Sequence, residues 1–262
     1  MAKQMLDEIH LTLSKAVLIR DAFTGKGVTN GIQVQAAGGY KPVLKPGGYC
    51  LFLNLDTDTI EVEITSAIYQ SCRLVLTADG GSKAQEIFLY PSAAYPVGRN
   101  TTVVSGQAPA GAMLYFHLEE KRREYRLLHD YKKGEKEISI FTGGTAAAVG
   151  GLWFIREQNN STGEYFRSLA PADGSEAEEE PEAERGVLEQ TLQKGYRKKD
   201  ARLYPAFACA AGEDGMFYLF LNQLKEQDYR LFFSCEQDGA FVNREIGIRG
   251  CVYNTVETKA AP

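Results

Sequence analysis

The chain has 262 residues, 44% of them hydrophobic, with 13 Phe and 14 Tyr, a composition that excludes wholesale disorder and is long enough for two ordinary domains. Its net charge of −5 is concentrated in residues 173–184, where Asp173, Glu176, Glu178, Glu179, Glu180, Glu182 and Glu184 stand without a base; without these seven the balance is +2. Such a balance lacks the basic face of a nucleic-acid-binding protein. The amino-terminal stretch is polar, and the five cysteines lack the spacing of a disulfide framework or zinc site, so a cytoplasmic product with reduced, buried thiols is expected.

In chain order, Ile9, Leu11, Leu13, Val17 and Ile19 alternate over residues 9–20, a pattern that buries one face of a strand. Gly25 and Gly27 read as a turn. Ile32, Val34 and Ala36 alternate next, and Gly38, Gly39 and Pro42 break the run. Tyr49, Leu51, Leu53 and Leu55 share one face of a further strand, and Ile60, Val62 and Ile64 alternate against Glu61 and Glu63. Leu74 and Leu76, then Ile87 and Leu89, add strands that complete a β-sandwich over residues 1–90. Two Tyr-Pro steps, Tyr90-Pro91 and Tyr95-Pro96, disfavour helix and mark residues 91–100 as a junction.

Residues 101–262 read as a second, expanded β-sandwich. Strands are expected at 101–105, 113–118, 138–141 and 152–156, with turns at Gly143-Gly144 and Gly150-Gly151. Residues 170–186 hold no large apolar side chain and read as a solvated acidic insertion. A short helix is expected over 187–194, and strand character resumes at 203–210, 216–222, 229–235 and 245–253. The fold class is therefore all-β, two β-sandwich domains of transthyretin-like or Ig-like type.

An internal echo links the halves. Gly47-Gly48-Tyr49-Cys50-Leu51-Phe52-Leu53-Asn54 aligns with Gly215-Met216-Phe217-Tyr218-Leu219-Phe220-Leu221-Asn222, a glycine turn followed by an apolar strand ending in Leu-Phe-Leu-Asn. The two copies are too far apart to be neighbours in a solenoid.

No constellation for catalysis emerges, and the chain is expected not to be an enzyme. There is no Gly-x-Ser-x-Gly elbow and no phosphate-binding glycine pattern. His117 and Glu120 have a metal-ligand spacing, but only His10 and His129 remain to complete a site, so this stretch reads as an exposed strand edge and no metal or cofactor is expected. The basic clusters Lys121-Arg122-Arg123 and Arg197-Lys198-Lys199 are short and read as solvated loops. Tyr40, Tyr90, Tyr95 and Tyr165 are the candidate interaction surface, for protein or, as an alternative, for carbohydrate.

The residues Val17-Leu18-Ile19-Arg20-Asp21-Ala22-Phe23-Thr24-Gly25-Lys26, Ile32-Gln33-Val34 and Gly47-Gly48-Tyr49-Cys50-Leu51-Phe52-Leu53-Asn54-Leu55 resemble the carboxypeptidase-regulatory-like, or transthyretin-like, β-sandwich family, in which an Asp-x-x-Thr-Gly turn follows the first strand. The resemblance implies a scaffold module without peptidase activity. Phe88-Leu89-Tyr90-Pro91-Ser92-Ala93-Ala94-Tyr95-Pro96 with Thr101-Thr102-Val103-Val104-Ser105-Gly106 resembles proteins of phage-tail-like contractile injection systems. Together these imply a structural or adaptor protein whose partners are other proteins of a multi-subunit assembly, with neither nucleic acid nor membrane. The alternative is a carbohydrate-binding or adhesin-like module.

Overall fold

The computed structural model describes residues 11–80, 83–141, 151–158, 163–169, 183–237 and 240–256, and these fold as an all-β protein. The start of the expected first strand, the Gly143-Gly144 turn and most of the acidic insertion lie outside the described residues.

Seven strands build the first unit: β1 (Leu13–Asp21), β2 (Ile32–Ala36), β3 (Val43–Lys45), β4 (Tyr49–Leu53), β5 (Thr59–Ser66), β6 (Cys72–Thr77) and β7 (Gln85–Leu89). They form two sheets, ordered β3-β4-β1-β7 and β2-β5-β6, with β1 and β7 parallel. The alternating strands turn Val17, Ile19, Cys50, Phe52, Ile87 and Leu89 of one sheet onto Ile60, Val62, Ile64 and Leu76 of the other, making one core. The Asp-x-x-Thr-Gly turn closes β1. Its Asp21 Oδ1 accepts hydrogen bonds from the Phe23 and Thr24 amides at 2.8 and 3.1 Å, and Gly25, at φ +70°, donates its amide to the Asp21 carbonyl at 2.8 Å. Gly27 then crosses the glycine turn before β4 so closely that a Cβ there would lie 1.9 Å from the Gly47 carbonyl oxygen.

The remaining strands are β8 (Thr102–Gln107), β9 (Met113–Leu118), β10 (Arg126–Leu127), β11 (Glu137–Phe141), β12 (Gly151–Glu157), β13 (Gly163–Leu169), β14 (Ala183–Leu188), β15 (Ala201–Ala210), β16 (Met216–Leu221), β17 (Asp228–Gln237), β18 (Ala240–Arg249) and β19 (Tyr253–Val256). They make a nine-stranded sheet, β10-β11-β14-β13-β12-β15-β9-β17-β18, and a three-stranded sheet, β16-β8-β19. Two cores result. Leu114, Phe116, Leu118, Leu231 and Phe233 of the large sheet meet Val104, Phe217, Leu219 and Leu221 of the small one. Ile138, Ile140, Trp153, Ile155, Phe166 and Leu203 pack at the other end of the large sheet with Leu192 and Tyr196.

Strand β15 joins the two ends. Ala201 to Pro205 pair with β12, whereas Ala206 to Ala210 pair with β9. The change falls at Pro205, which has no amide hydrogen to donate to a ladder.

One expectation is corrected. No helix forms over 187–194: Val187 and Leu188 end β14, paired with β11 and β13, and the Gln193 and Lys194 amides that follow donate to the Glu164 carboxylate at 2.8 and 3.1 Å. Pairing on both sides outweighs a weak helical preference. In β4 the inward face is Cys50 and Phe52, with Tyr49 exposed, whereas in the echoed β16 it is Phe217, Leu219 and Leu221 that enter the core. The two copies thus bury opposite faces of aligned strands, a shift of one residue that inverts a sheet.

Candidate binding cleft

The outer face of β16 is where the two parts of the molecule meet. Phe220, nearly buried, reaches Phe23 with ring centroids 5.7 Å apart and Tyr95 at 5.5 Å, and Tyr95 in turn meets Tyr69 at 5.6 Å. Asp21 sits under these rings. Its Oδ2 accepts hydrogen bonds from the Tyr95 hydroxyl at 2.5 Å and the Tyr69 hydroxyl at 3.1 Å. Burial raises the Asp21 pKa, but the hydrogen bonds from Tyr95 and from the Phe23 and Thr24 amides outweigh it and hold the carboxyl below its ordinary value. Burial and then the contact with Asp21 push both phenols upward, that of Tyr69 to about 12.

Beside this junction opens a cleft of about 570 Å³, within the range of ligand pockets. One wall is Phe23, Phe88 and Tyr90 of the first unit and the segment after it; the others are Arg123, Tyr125 and Arg167, and two runs of consecutive residues, 205–209 of β15 and 218–220 of β16. Its only charged lining residues among those described are Arg123 and Arg167. The Arg167 guanidinium lies 4.8 Å from the Phe88 ring centroid, a cation–π contact. Glu189 and Glu120 approach Arg167 and Arg123 only at 3.7 and 3.4 Å, and neither carboxylate lines the cleft.

The chain matches no protein-family model and no curated protein. What the site can do is therefore read from its geometry.

The four candidate tyrosines are each partly buried. Tyr90 lines the cleft, and burial pushes its phenol up to about 12. Tyr95 holds the junction beside it. Tyr40 packs on the first core, bonded to Asp56. Tyr165 lies inside a second polar cluster, its ring against Tyr115 and Phe154.

That cluster surrounds His117. The expected exposed edge is instead the interior of a sheet: β9 runs between β15 and β17, and His117 is 4% exposed. Its imidazole lies between the rings of Phe154, 3.8 Å away, and Phe232, 5.2 Å away, both nearly parallel to it. Nδ1 meets the Tyr165 hydroxyl at 2.8 Å, Nε2 faces Glu119 at 3.5 Å, and Glu119 accepts two hydrogen bonds of 2.7 Å from Arg156. Glu119, not Glu120, is the partner, and no group of three or more metal-ligating side chains occurs among the described residues. The series Tyr165–His117–Glu119–Arg156 has the connectivity of nucleophile, base and orienting acid. Its chemistry runs the other way: burial raises the Tyr165 phenol and lowers the His117 imidazole, which activates neither. Burial alone would raise Glu119, but His117 and Arg156 hold it at about 2.

This network makes stability depend on pH. Because the folded His117 pKa lies below its ordinary value, its contribution is complete above about pH 6.5 and is lost as pH falls towards the folded value. Unfolding free energies from urea titrations should fall between pH 7.5 and 5.5, by at most ~1.4 kcal/mol per pH unit, and His117→Gln should flatten that slope. An unchanged slope in the variant would refute the assignment.

Sequence reasoning missed Arg123, Arg167 and the change of partner along β15. Arg123 belongs to a cluster read as a solvated loop, and Arg167 sits in a strand with no apolar alternation. Pro205 inside an apolar run was the one available signal for that change.

Proposed function

We propose that the chain is a non-enzymatic adaptor that holds a partner protein in the cleft between its first two-sheet unit and its larger sheet. The supporting observation is the cleft itself: aromatic walls, two lining arginines and no acidic lining residue among those described, the composition of residues that dominate protein interfaces. The proposed setting, a multi-subunit particle of the phage-tail-like contractile kind, rests on the sequence resemblance of residues 88–96 and 101–106. The resemblance of residues 17–55 to carboxypeptidase-regulatory-like modules supports a scaffold role for the first unit.

Tyr218 supplies the test, since it lines the cleft and is only partly buried. Affinity-tagged chain recovered under native conditions from its producing cells should carry sheath, tube or baseplate proteins in fixed proportion. Tyr218→Ala should reduce that recovery about tenfold, the effect of losing one aromatic anchor. A clean monomer, or equal recovery by the variant, would overturn the reading.

A further inference from the structure

Each sheet of the first unit ends in two outer strands, and these differ in how their edges are guarded. β3 carries Lys45 and follows Lys41 and Pro42, β6 carries Arg73 and β7 carries Glu86, whereas β2 carries no charge. Charged side chains and prolines on outer strands keep foreign strands away. From Gly27 to Tyr40 the chain has neither. β2 pairs with β5, Ile32 to Ala36 against Ser66 to Val62, and is the terminal strand of its sheet among the described residues. Its Ile32, Val34 and Ala36 pack on the first core but stay half-buried, while Gln33 and Gln35 are exposed on the outer face.

We infer that β2 is a self-association edge, pairing antiparallel with β2 of a second copy about a twofold axis at Val34 and joining the two β2-β5-β6 sheets into one. The strand's own sequence selects this occupant. Ile32-Gln33-Val34-Gln35-Ala36 alternates apolar and polar identically in both directions, so pairing centred on Val34 sets Ile32 opposite Ala36, Val34 opposite Val34 and Gln33 opposite Gln35 of the second copy. Apolar side chains then meet on the inner face and gain the burial that an outer strand lacks. Glutamine amides, which both donate and accept, meet on the outer face. A slip of one residue would set glutamine against isoleucine and valine, which fixes the register. The contact is isologous: it uses the same edge of both copies and closes at the dimer instead of propagating into a fibre. No residue of β2 lines the cleft, so the association goes beyond the adaptor reading and does not depend on it.

Sedimentation velocity of the full chain, from about 1 μM to about 0.5 mM, spans the range in which a small interface forms. A monomer–dimer equilibrium is expected, with amide exchange at residues 32–36 slowing as the concentration rises. Two double variants at exposed positions, their fold checked by circular dichroism, separate this edge from any other face. Gln33→Lys with Gln35→Lys sets lysine opposite lysine at both outer pairs and should weaken dimerisation about tenfold. Gln33→Glu with Gln35→Lys sets opposite charges at the same pairs and should restore the parent affinity or exceed it. A chain that stays monomeric throughout, leaving the edge to water or to a strand of another protein, overturns self-pairing. So does dimerisation that the double-lysine variant leaves unchanged, or that the opposite-charge variant fails to restore.

Discussion

Replacing Asp21 with alanine is expected to destabilise the protein by about 3 kcal/mol. Four donors converge on this carboxylate: the Phe23 and Thr24 amides on one oxygen, the Tyr69 and Tyr95 hydroxyls on the other. Alanine would leave buried donors without an acceptor, and each such group costs roughly 1–3 kcal/mol unless water reaches it. The Tyr95 and Tyr69 rings would then lose their anchor beneath Phe220, so the same variant should also loosen the cleft wall. Asp21→Asn keeps an acceptor for the turn amides and is expected to cost about half as much. The carboxylate also titrates. Its folded pKa lies below the unfolded value, so its contribution is present above about pH 4 and lost as pH falls through the folded value, as is that of Glu119, held at about 2. In Asp21→Ala the Asp21 part of this acid loss should vanish. Denaturant unfolding at pH 7 and pH 3.5 measures both effects; a loss under ~1 kcal/mol at pH 7 would show that the junction does not depend on the carboxylate.

Phe116→Ala is expected to cost about 4 kcal/mol. Phe116 is fully buried at the centre of the core between the large and small sheets, 5.8 Å from the Phe217 ring and 5.5 Å from that of Phe233. Truncation removes apolar area and leaves a void that neighbouring strands, fixed in their ladders, cannot fill. Phe116→Leu retains most of the volume and should cost about 1–1.5 kcal/mol. Because Phe217 lies on β16, the alanine variant should also accelerate amide exchange in β8 and β16 ahead of the first unit. Uniform acceleration across the molecule would instead mean that the two sheets do not separate independently.

The all-β character was legible because most strands bury one face. Ile60, Val62 and Ile64 against Glu61 and Glu63 leave no other period to fit. Strands with no such contrast escaped. β13 carries Glu164, Tyr165, Arg167 and Ser168 around a single core residue, Phe166, and β14 emerges from an acid-rich stretch whose Val187 and Leu188 fit a helix as easily as a strand. The inward face of β4 was not legible for a related reason. Tyr49, Leu51 and Leu53 are as apolar as Cys50 and Phe52, so parity depends on which neighbours the strand acquires, a tertiary fact. The cleft was the least legible part. It joins Phe23 and Phe88 to Arg123, Arg167 and Phe220, residues brought together only by the docking of two sheet systems.

The divided pairing of β15 has a mechanical consequence. Force applied lengthwise to its Ala206–Ala210 half would load the hydrogen bonds to β9 together in shear rather than breaking them one after another as a zipper does. From there tension passes through the covalent backbone at Pro205 into the ladder with β12. The two ends of the large sheet are thus coupled in series by one continuous peptide chain.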